Sequence, residues 1–287
     1  MREIKEITVD LGLGGGKLYQ PSNRTDSQMM SYIIDTGDGI VVIDGGTNYA
    51  QGDADYLYQT LSKFGKKVKL WFFSHLHSDH YGALMILLEQ NRFDIDVEKF
   101  CFNFMPDEML EMRNGEIETS TKFLELFEKR NFNVCQTEVG DVFECGCVKF
   151  EILFAPDHER RYFDINSTSI IIKAHFPKRD VLFLGDFNFR TESDYIERCN
   201  VEALKTDIVQ MAHHGQGGAS REFYELIAPK VCLWPAPKWL YDNNNFFSDD
   251  PETAGKGPFR SLETRAWMEE FGVKENYTHG EGDYIFI

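Results

Sequence analysis

The stretch Ser74-His75-Leu76-His77-Ser78-Asp79-His80-Tyr81-Gly82 places three imidazoles and one carboxylate within six residues. It follows Val68 to Ser74, a compact apolar run that reads as a buried strand. It precedes a segment whose Leu84, Leu87 and Leu88 recur at helical spacing, with Ser78 or Asp79 placed to cap it. The four donors therefore sit on a strand-to-helix loop. Imidazole and carboxylate suit zinc, iron or manganese, and a loop leaves coordination positions open. The chain has eight histidines, and three of them in one loop is not the pattern of scattered solvated rings.

Two later segments share this architecture of an apolar strand with ligands at its C-terminal end. Val181 to Leu184 runs into Gly185-Asp186, which places a carboxylate at the mouth of a strand, where it can bridge two cations. An ordinary turn Asp is the plainer reading of that residue taken alone. Ile208 to Ala212 runs into His213-His214-Gly215, whose plainer reading is a surface or core histidine pair. Each segment strengthens the others.

Around these, the pattern is of mixed strands and helices. Strands are expected at Ile4–Leu11, Met30–Ile34, Ile40–Asp44, Phe100–Phe104, Val148–Phe154, Ser169–His175, Val231–Trp234 and Tyr284–Ile287. Helices are expected at Asp53–Phe64, Thr119–Arg130, Tyr195–Leu204, Arg221–Ile227 and Leu262–Phe271. Asp38-Gly39 marks a hairpin. Gly12 to Gly16 lacks the Gly-Lys-Ser/Thr ending of a phosphate loop and reads as a turn. No linker divides the chain, so one domain over residues 1–287 is expected. Trp234 to Pro258, rich in aromatics, Asn and Pro, reads as a long surface loop of open role.

With 42% hydrophobic residues among 287, the chain can bury a large core. The net charge of −17 disfavours nucleic acid as a general partner. No apolar stretch approaches the roughly 20 residues of a membrane helix. Met1 to Asp10 lacks the apolar centre of a signal peptide, so a cytoplasmic location is expected. The six cysteines (101, 135, 145, 147, 199 and 232) lack zinc-site spacing and read as reduced, mostly buried thiols.

His75-x-His77-x-Asp79-His80, with Asp44-Gly45-Gly46 before it and Gly185-Asp186 and His213-His214-Gly215 after it, resembles the metallo-β-lactamase superfamily. The resemblance implies a four-layer αββα sandwich: two mixed β-sheets face to face, flanked by helices, with the site at one edge. Within the superfamily the chain looks most like the hydrolase domain of bacterial DNA-uptake competence proteins, which carries Asn-x-x-Ser before the aspartate strand. Asn166-Ser167-Thr168-Ser169 stands there. Gln216 replaces the Ser that follows His-His-Gly in that branch. Many members supply one more histidine ligand between the first motif and the bridging aspartate. His158 is the candidate here, although Glu159-Arg160-Arg161 after it reads as a solvated loop. His175, deep in a strand, is a poor one.

Carried over residue by residue, the resemblance implies that His75 and His77 hold one metal, and that Asp79 and His80 hold a second. Asp186 bridges them. His213 or His214 completes the second site, with His213 preferred as the first residue past the strand. Asp44 orients the loop, with Asn166 and Ser169 in supporting positions. Zn²⁺ is the expected metal, with two ions possible and Mn²⁺ or Fe²⁺ compatible. Two cations can share a hydroxide and clamp attacking and leaving oxygens, with Asp79 as proton acceptor. The first functional reading is hydrolysis of a phosphodiester or related phosphoester. Arg160, Arg161, Lys173, Lys178, Arg179 and Arg190 are candidates for a local basic rim. The second is hydrolysis of a small ester, thioester or lactone, with Trp234, Trp239, Tyr241, Phe246 and Phe247 as pocket walls. A third, from another class, is a metal-binding scaffold or sensor without turnover.

Overall fold

The computed structural model describes residues 4–112, 117–244 and 250–287. Its strands are β1 (Ile4–Ile7), β2 (Lys17–Gln20), β3 (Tyr32–Asp35), β4 (Ile40–Ile43), β5 (Lys67–Phe72), β6 (Asp96–Phe102), β7 (Val134–Gln136), β8 (Val142–Cys145), β9 (Val148–Phe154), β10 (Ile171–His175), β11 (Asp180–Phe183), β12 (Ile208–Gln210), β13 (Val231–Trp234), β14 (Glu275–Thr278) and β15 (Asp283–Phe286). Its helices are α1 (Gln51–Lys63), α2 (Ser78–Glu89), α3 (Ile117–Arg130), α4 (Glu192–Arg198), α5 (Arg221–Ile227), α6 (Lys238–Tyr241) and α7 (Ser261–Glu270).

Among the described residues the strands form two mixed sheets. One has the order β1-β15-β2-β3-β4-β5-β6-β7, the other β14-β13-β12-β11-β10-β9-β8. Alternation along each strand shows how the layers stack. Val41, Ile43, Leu70 and Phe72 of the first sheet share one buried cluster with Phe150, Ile172, Val181 and Phe183 of the second. Tyr32 meets Phe183 edge-on across this layer at 5.1 Å, and Phe72 meets Phe150 at 5.7 Å. The alternate residues face the helices. Val42, Trp71 and Phe73 pack in a second cluster with Leu57, Leu84, Leu88, Phe123 and Phe127, and Leu182 and Val209 join Tyr195, Phe223 and Ile227 there. Both faces of the central strands are covered, so those strands read as unbroken apolar runs. The result is the αββα sandwich implied by the resemblance.

The parallel pairs decide where chemistry can sit. β4 runs parallel to β5, and β11 parallel to β12. Their C-terminal ends therefore open on common edges, where the crevices of α/β sheets lie.

Several sequence expectations are corrected. Tyr195–Leu204 is not one helix: α4 ends at Arg198, and a separate 3₁₀ turn spans Val201–Leu204. Asn200 breaks it, because its side chain accepts from the Glu202 N–H and starts the new turn. The residue that caps α2 is His77, whose side chain makes no capping bond, rather than Ser78 or Asp79. β2, β7, β8 and β14 are not apparent in the sequence, being three or four residues each with mixed polarity.

The 234–258 segment is not simply a surface loop. Trp234 closes β13, and Trp239 is buried and donates through Nε1 to the Asp26 carbonyl. Trp234, Trp239 and Tyr241 pack on the core rather than walling a pocket. Phe246 and Phe247 lie outside the described residues. Among the described residues no helix is long and apolar enough to cross a membrane. All six cysteines are free, three of them buried, and burial pushes the Cys101 thiol up to about 12.

Candidate metal centre

The site is built from the ends of β4, β5, β11 and β12. Just past β4, Asp44 adopts a left-handed backbone (φ 59°) and turns its carboxylate onto the loop after β5. Oδ1 accepts from the Ser74 N–H at 2.7 Å, and Oδ2 accepts from the Ser74 hydroxyl at 2.9 Å. Oδ2 also lies 2.9 Å from His80 Nδ1. One buried carboxylate thus holds both ends of the histidine loop. Paired this way, Nδ1 of His80 carries a proton, and Nε2 is the ring atom that faces inward.

β11 reaches the same point through Gly185. Its φ is +55°, and a Cβ there would stand 2.6 Å from the Ser74 Cβ, so only glycine lets the two strand ends approach. Buried Gln210 holds this turn. Its Oε1 accepts from Leu184 and Gly185 N–H at 2.8 Å, and its Nε2 donates to the Gly185 and Met211 carbonyls. Ser169 Oγ accepts from the Asp186 N–H at 3.1 Å. Gln210 is a site residue that the sequence motifs do not include. A single amide inside the apolar run Ile208–Ala212 was the available signal, because a buried amide must find partners.

Past β12, His213 and His214 are both left-handed (φ 49° and 55°), a conformation costing about 1–2 kcal/mol per residue. His214 Nδ1 donates to the Pro235 carbonyl at 2.7 Å, which leaves Nε2 as the inward atom. Gly215 follows at φ +80°, flat against Trp234.

Two donor groups result, each with its ligand atoms within 4.8 Å of one another. One is Asp79, His80, Asp186 and His214; the other is His75, His77 and Asp186. His80 Nε2 lies 3.2 Å from Asp186 Oδ1, His214 Nε2 lies 2.9 Å from Asp79 Oδ2, and His75 Nε2 lies 3.1 Å from His77 Nδ1. Yet His80 Nε2, Asp186 Oδ1 and His214 Nε2 are buried with no well-directed hydrogen bond. Buried polar atoms in proteins are normally satisfied. Nitrogens and carboxylate oxygens that converge without a well-directed bond to one another fit a cation between them.

Electrostatics are consistent with this. Burial, with the His80 charge added, holds His75 well below the usual imidazole range. Burial also works against the His80 cation, but Asp186, Asp44 and Asp79 outweigh it and raise its pKa well above the usual value, so a cation bound here would displace a proton from Nε2. Burial works against ionised Asp79 and Asp186, and the surrounding imidazoles, His80 foremost, overcome it and hold both carboxyls low. The carboxylates are thus ionised and ready to ligate.

The structure separates the remaining candidates. His214, rather than the preferred His213, joins Asp79, His80 and Asp186, because the left-handed pair swings the second ring inward. His213 Nε2 stands 3.8 Å from Asp186 Oδ2 and 3.5 Å from Asn166 Nδ2. His158 joins neither group. It is exposed, with Nε2 at 2.6 Å from Asn103 Oδ1, in a groove lined by Asn103, Gln136, Pro156 and Arg198. His175 bridges Asp180 and Glu151. Five of the six basic-rim candidates are engaged elsewhere. Arg160 pairs with Asp194 and Glu197, Lys178 with Asp10 and Arg179 with Asp207, and Lys173 is buried against the Ala203 and Lys205 carbonyls. Arg190 lies over the Phe163 ring at 3.9 Å.

Comparison with known proteins agrees with this picture. The profile of the Metallo-beta-lactamase superfamily matches residues 24–230. Hydroxyacylglutathione hydrolase GloC of Haemophilus influenzae is 28% identical over 200 residues, 66% of this chain and 85% of that protein. The metallo-beta-lactamase fold protein YhfI from Bacillus subtilis aligns with a TM-score of 0.51 and 11% identity, covering 92% of this chain and 95% of its own. CmlA, a diiron β-hydroxylase from Streptomyces venezuelae, aligns with a TM-score of 0.53 and 11% identity, over 94% of this chain and 53% of its own. At such identities these two likenesses are of fold alone.

Proposed function

Since the chain belongs to the metallo-beta-lactamase superfamily, and so to a family of metal-dependent hydrolases, we propose that it is a two-ion hydrolase of a phosphodiester or related phosphoester. The observation that carries this reading is the sharing of Asp186 by two donor groups. A shared carboxylate suits a pair of cations about 3.5–4 Å apart, the arrangement that clamps both the attacking and the leaving oxygen of an in-line displacement. In this reading His75 and His77 would hold one ion, Asp79, His80 and His214 would hold the other, and Asp186 would serve both. Zn²⁺ suits these donors, as do Mn²⁺ and Fe²⁺.

Bound ions supply Lewis acidity and make water a nucleophile near neutral pH. The chain's own residues set the geometry. Asp44 fixes the proton of His80 on Nδ1, and the Pro235 carbonyl does the same for His214. Asp79, held ionised, suits a ligand and an acceptor of a hydrogen bond from water better than a store for a proton. Asn166 Nδ2 lies 3.5 Å from His213 Nε2, and in this reading it supports that ring. The order of Asn166, Ser169 and His213-His214-Gly215 favours the competence-type branch, from which Gln216 departs.

A specific observation favours a second reading. The GloC relative is named for hydrolysis of hydroxyacylglutathione, a thioester, and it aligns over most of its length. The same two donor groups would also suit acyl transfer, where bound cations would supply Lewis acidity toward a thioester carbonyl.

Turnover of bis(p-nitrophenyl) phosphate, p-nitrophenyl esters and a hydroxyacylglutathione thioester, with added Zn²⁺ or Mn²⁺, separates the readings. Phosphodiester turnover lost in Asp79→Ala and His77→Ala is the expected result. Thioester or ester turnover without diester turnover replaces the first reading with the second.

A further inference from the structure

We infer that the groove around His158 binds the part of the substrate beyond the scissile bond, and that this part carries hydroxyl groups, as glycerol or a sugar does. The inference rests on the phosphodiester reading above and deepens it, by assigning a subsite outside the two donor groups.

Strand register places the groove. Phe72 of β5 is level with Cys101 of β6, and Cys101 with Cys135 of β7. Two residues further on, Ser74, Asn103 and Thr137 end these strands side by side, with neighbours about 4.8 Å apart. The Phe73 N–H bonds the Cys101 carbonyl and the Thr137 N–H bonds the Phe102 carbonyl, both at 3.0 Å, so the ladder runs on to this row. In the facing sheet β9 and β11 flank β10 and are antiparallel to it. Their C-terminal ends therefore share one edge, about 10 Å apart. His158 follows β9, and Asp186 follows β11. The groove thus continues the crevice that holds the two donor groups, one to two strand widths away. That is too far for a metal bond of about 2.1 Å, but within reach of the second ester group of a diester held at Asp186.

The side chains there are held in one arrangement. Asn103, 3% exposed, donates through Nδ2 to the Thr137 carbonyl at 2.8 Å and to the Pro156 carbonyl at 3.2 Å. Those two acceptors fix which way the amide points. Oδ1 must face His158 Nε2, 2.6 Å away, and that nitrogen must donate. The Gln136 amide lies 3.3 Å from the same nitrogen. In the neutral ring the lone pair then belongs to Nδ1, which bonds nothing among the described residues.

The groove holds about 380 Å³, in the range of small-molecule sites. Its lining is rich in acceptors. Glu138 and Asp157 bring carboxylates to it, the latter shared with Arg160 at 3.6 Å. Arg198, the cation of the lining, is spent on Asp194, the Ala155 carbonyl and the Tyr162 hydroxyl. A second anionic group would be repelled by the carboxylates. Hydroxyl groups would donate to His158 Nδ1 and to Glu138.

The test compares two p-nitrophenyl phosphodiesters of equal charge, one of glycerol and one of ethanol, on the zinc-loaded full chain. Wild type should favour the glyceryl ester roughly 2–10-fold in kcat/KM, the worth of one hydrogen bond. His158→Ala should remove this preference, with the loss carried by KM for the glyceryl ester. A second readout follows the wild-type ring itself, by ¹⁵N spectroscopy at about pH 8, above the ordinary imidazole pKa. His158 should be protonated on Nε2, and glycerol 3-phosphate, but not ethyl phosphate, should shift its Nδ1 signal. Equal or reversed preference in wild type, a preference that survives in His158→Ala, or an Nδ1 signal that glycerol 3-phosphate does not move overturns the inference and leaves the phosphodiester reading standing. No turnover of either ester overturns both.

Discussion

Oδ2 of Asp44 lies 2.9 Å from Nδ1 of His80, and this contact, on the far side of the ring from the inward nitrogen, decides which nitrogen of His80 faces the metal centre. The same oxygen accepts from the Ser74 hydroxyl. Asp44→Asn keeps the left-handed backbone, which asparagine tolerates. Its amide, however, presents a donor to Nδ1 and drives the ring proton to Nε2. Metal affinity should fall roughly 10–100-fold, as for other outer partners of ligating histidines. Competition with a fluorescent zinc chelator measures it, alongside a circular-dichroism spectrum expected to match wild type. Unchanged affinity would mean that Asp44 serves only the loop.

Gly185 joins the two halves of the site. An added Cβ would stand 2.6 Å from the Ser74 Cβ and would hold φ at +55°. Gly185→Ala should cost roughly 2–5 kcal/mol, the sum of left-handed strain and overpacking. It should also weaken metal binding, because Asp186 is the next residue. Urea unfolding with a parallel zinc titration tests both effects; a variant as stable as wild type contradicts the close approach.

Asp283, buried in β15, ties the chain's ends together. Its carboxylate accepts from Ser22 N–H at 2.6 Å, from Tyr56 O–H at 2.5 Å and from Arg24 at 2.6 Å. Burial works to raise its pKa, but these bonds outweigh it and hold the pKa below the ordinary carboxyl value. A depressed folded pKa stabilises the fold above the unfolded value near 3.9, and that contribution fades as pH falls through the folded value. Asp283→Asn should destabilise by about 3 kcal/mol at pH 7, leaving Arg24 without its partner. The gap to wild type should narrow by pH 3. Urea midpoints at the two pH values measure it, and a gap of constant size would exclude the ionised carboxylate as its source.

Much of this site is legible in the amino-acid sequence, for a physical reason. Ligands at the C-terminal ends of apolar strands leave a mark there, since the strand is a continuous hydrophobic run and the donors follow it at once. His75 to His80, Asp186 and His213-His214 all show that mark, and the parallel pairs β4–β5 and β11–β12 bring them to one edge. What is not legible depends on backbone conformation. His214 rather than the preferred His213 joins Asp79, His80 and Asp186 because both residues are left-handed, which two histidines in a row do not advertise. His158 follows a strand as a ligand would, yet Asn103, more than fifty residues earlier in the chain, holds it elsewhere. The short edge strands β7, β8 and β14 escape because three or four residues of mixed polarity carry no period.

Everything proposed for this chain depends on a pair of ions held around Asp186. Anomalous diffraction at the zinc edge from zinc-soaked crystals would reveal them. Two peaks about 3.5–4 Å apart are expected, one against His75 and His77, the other against Asp79, His80 and His214, with Asp186 between them. A single peak away from Asp186, or none at saturating zinc, is incompatible with the two-ion centre.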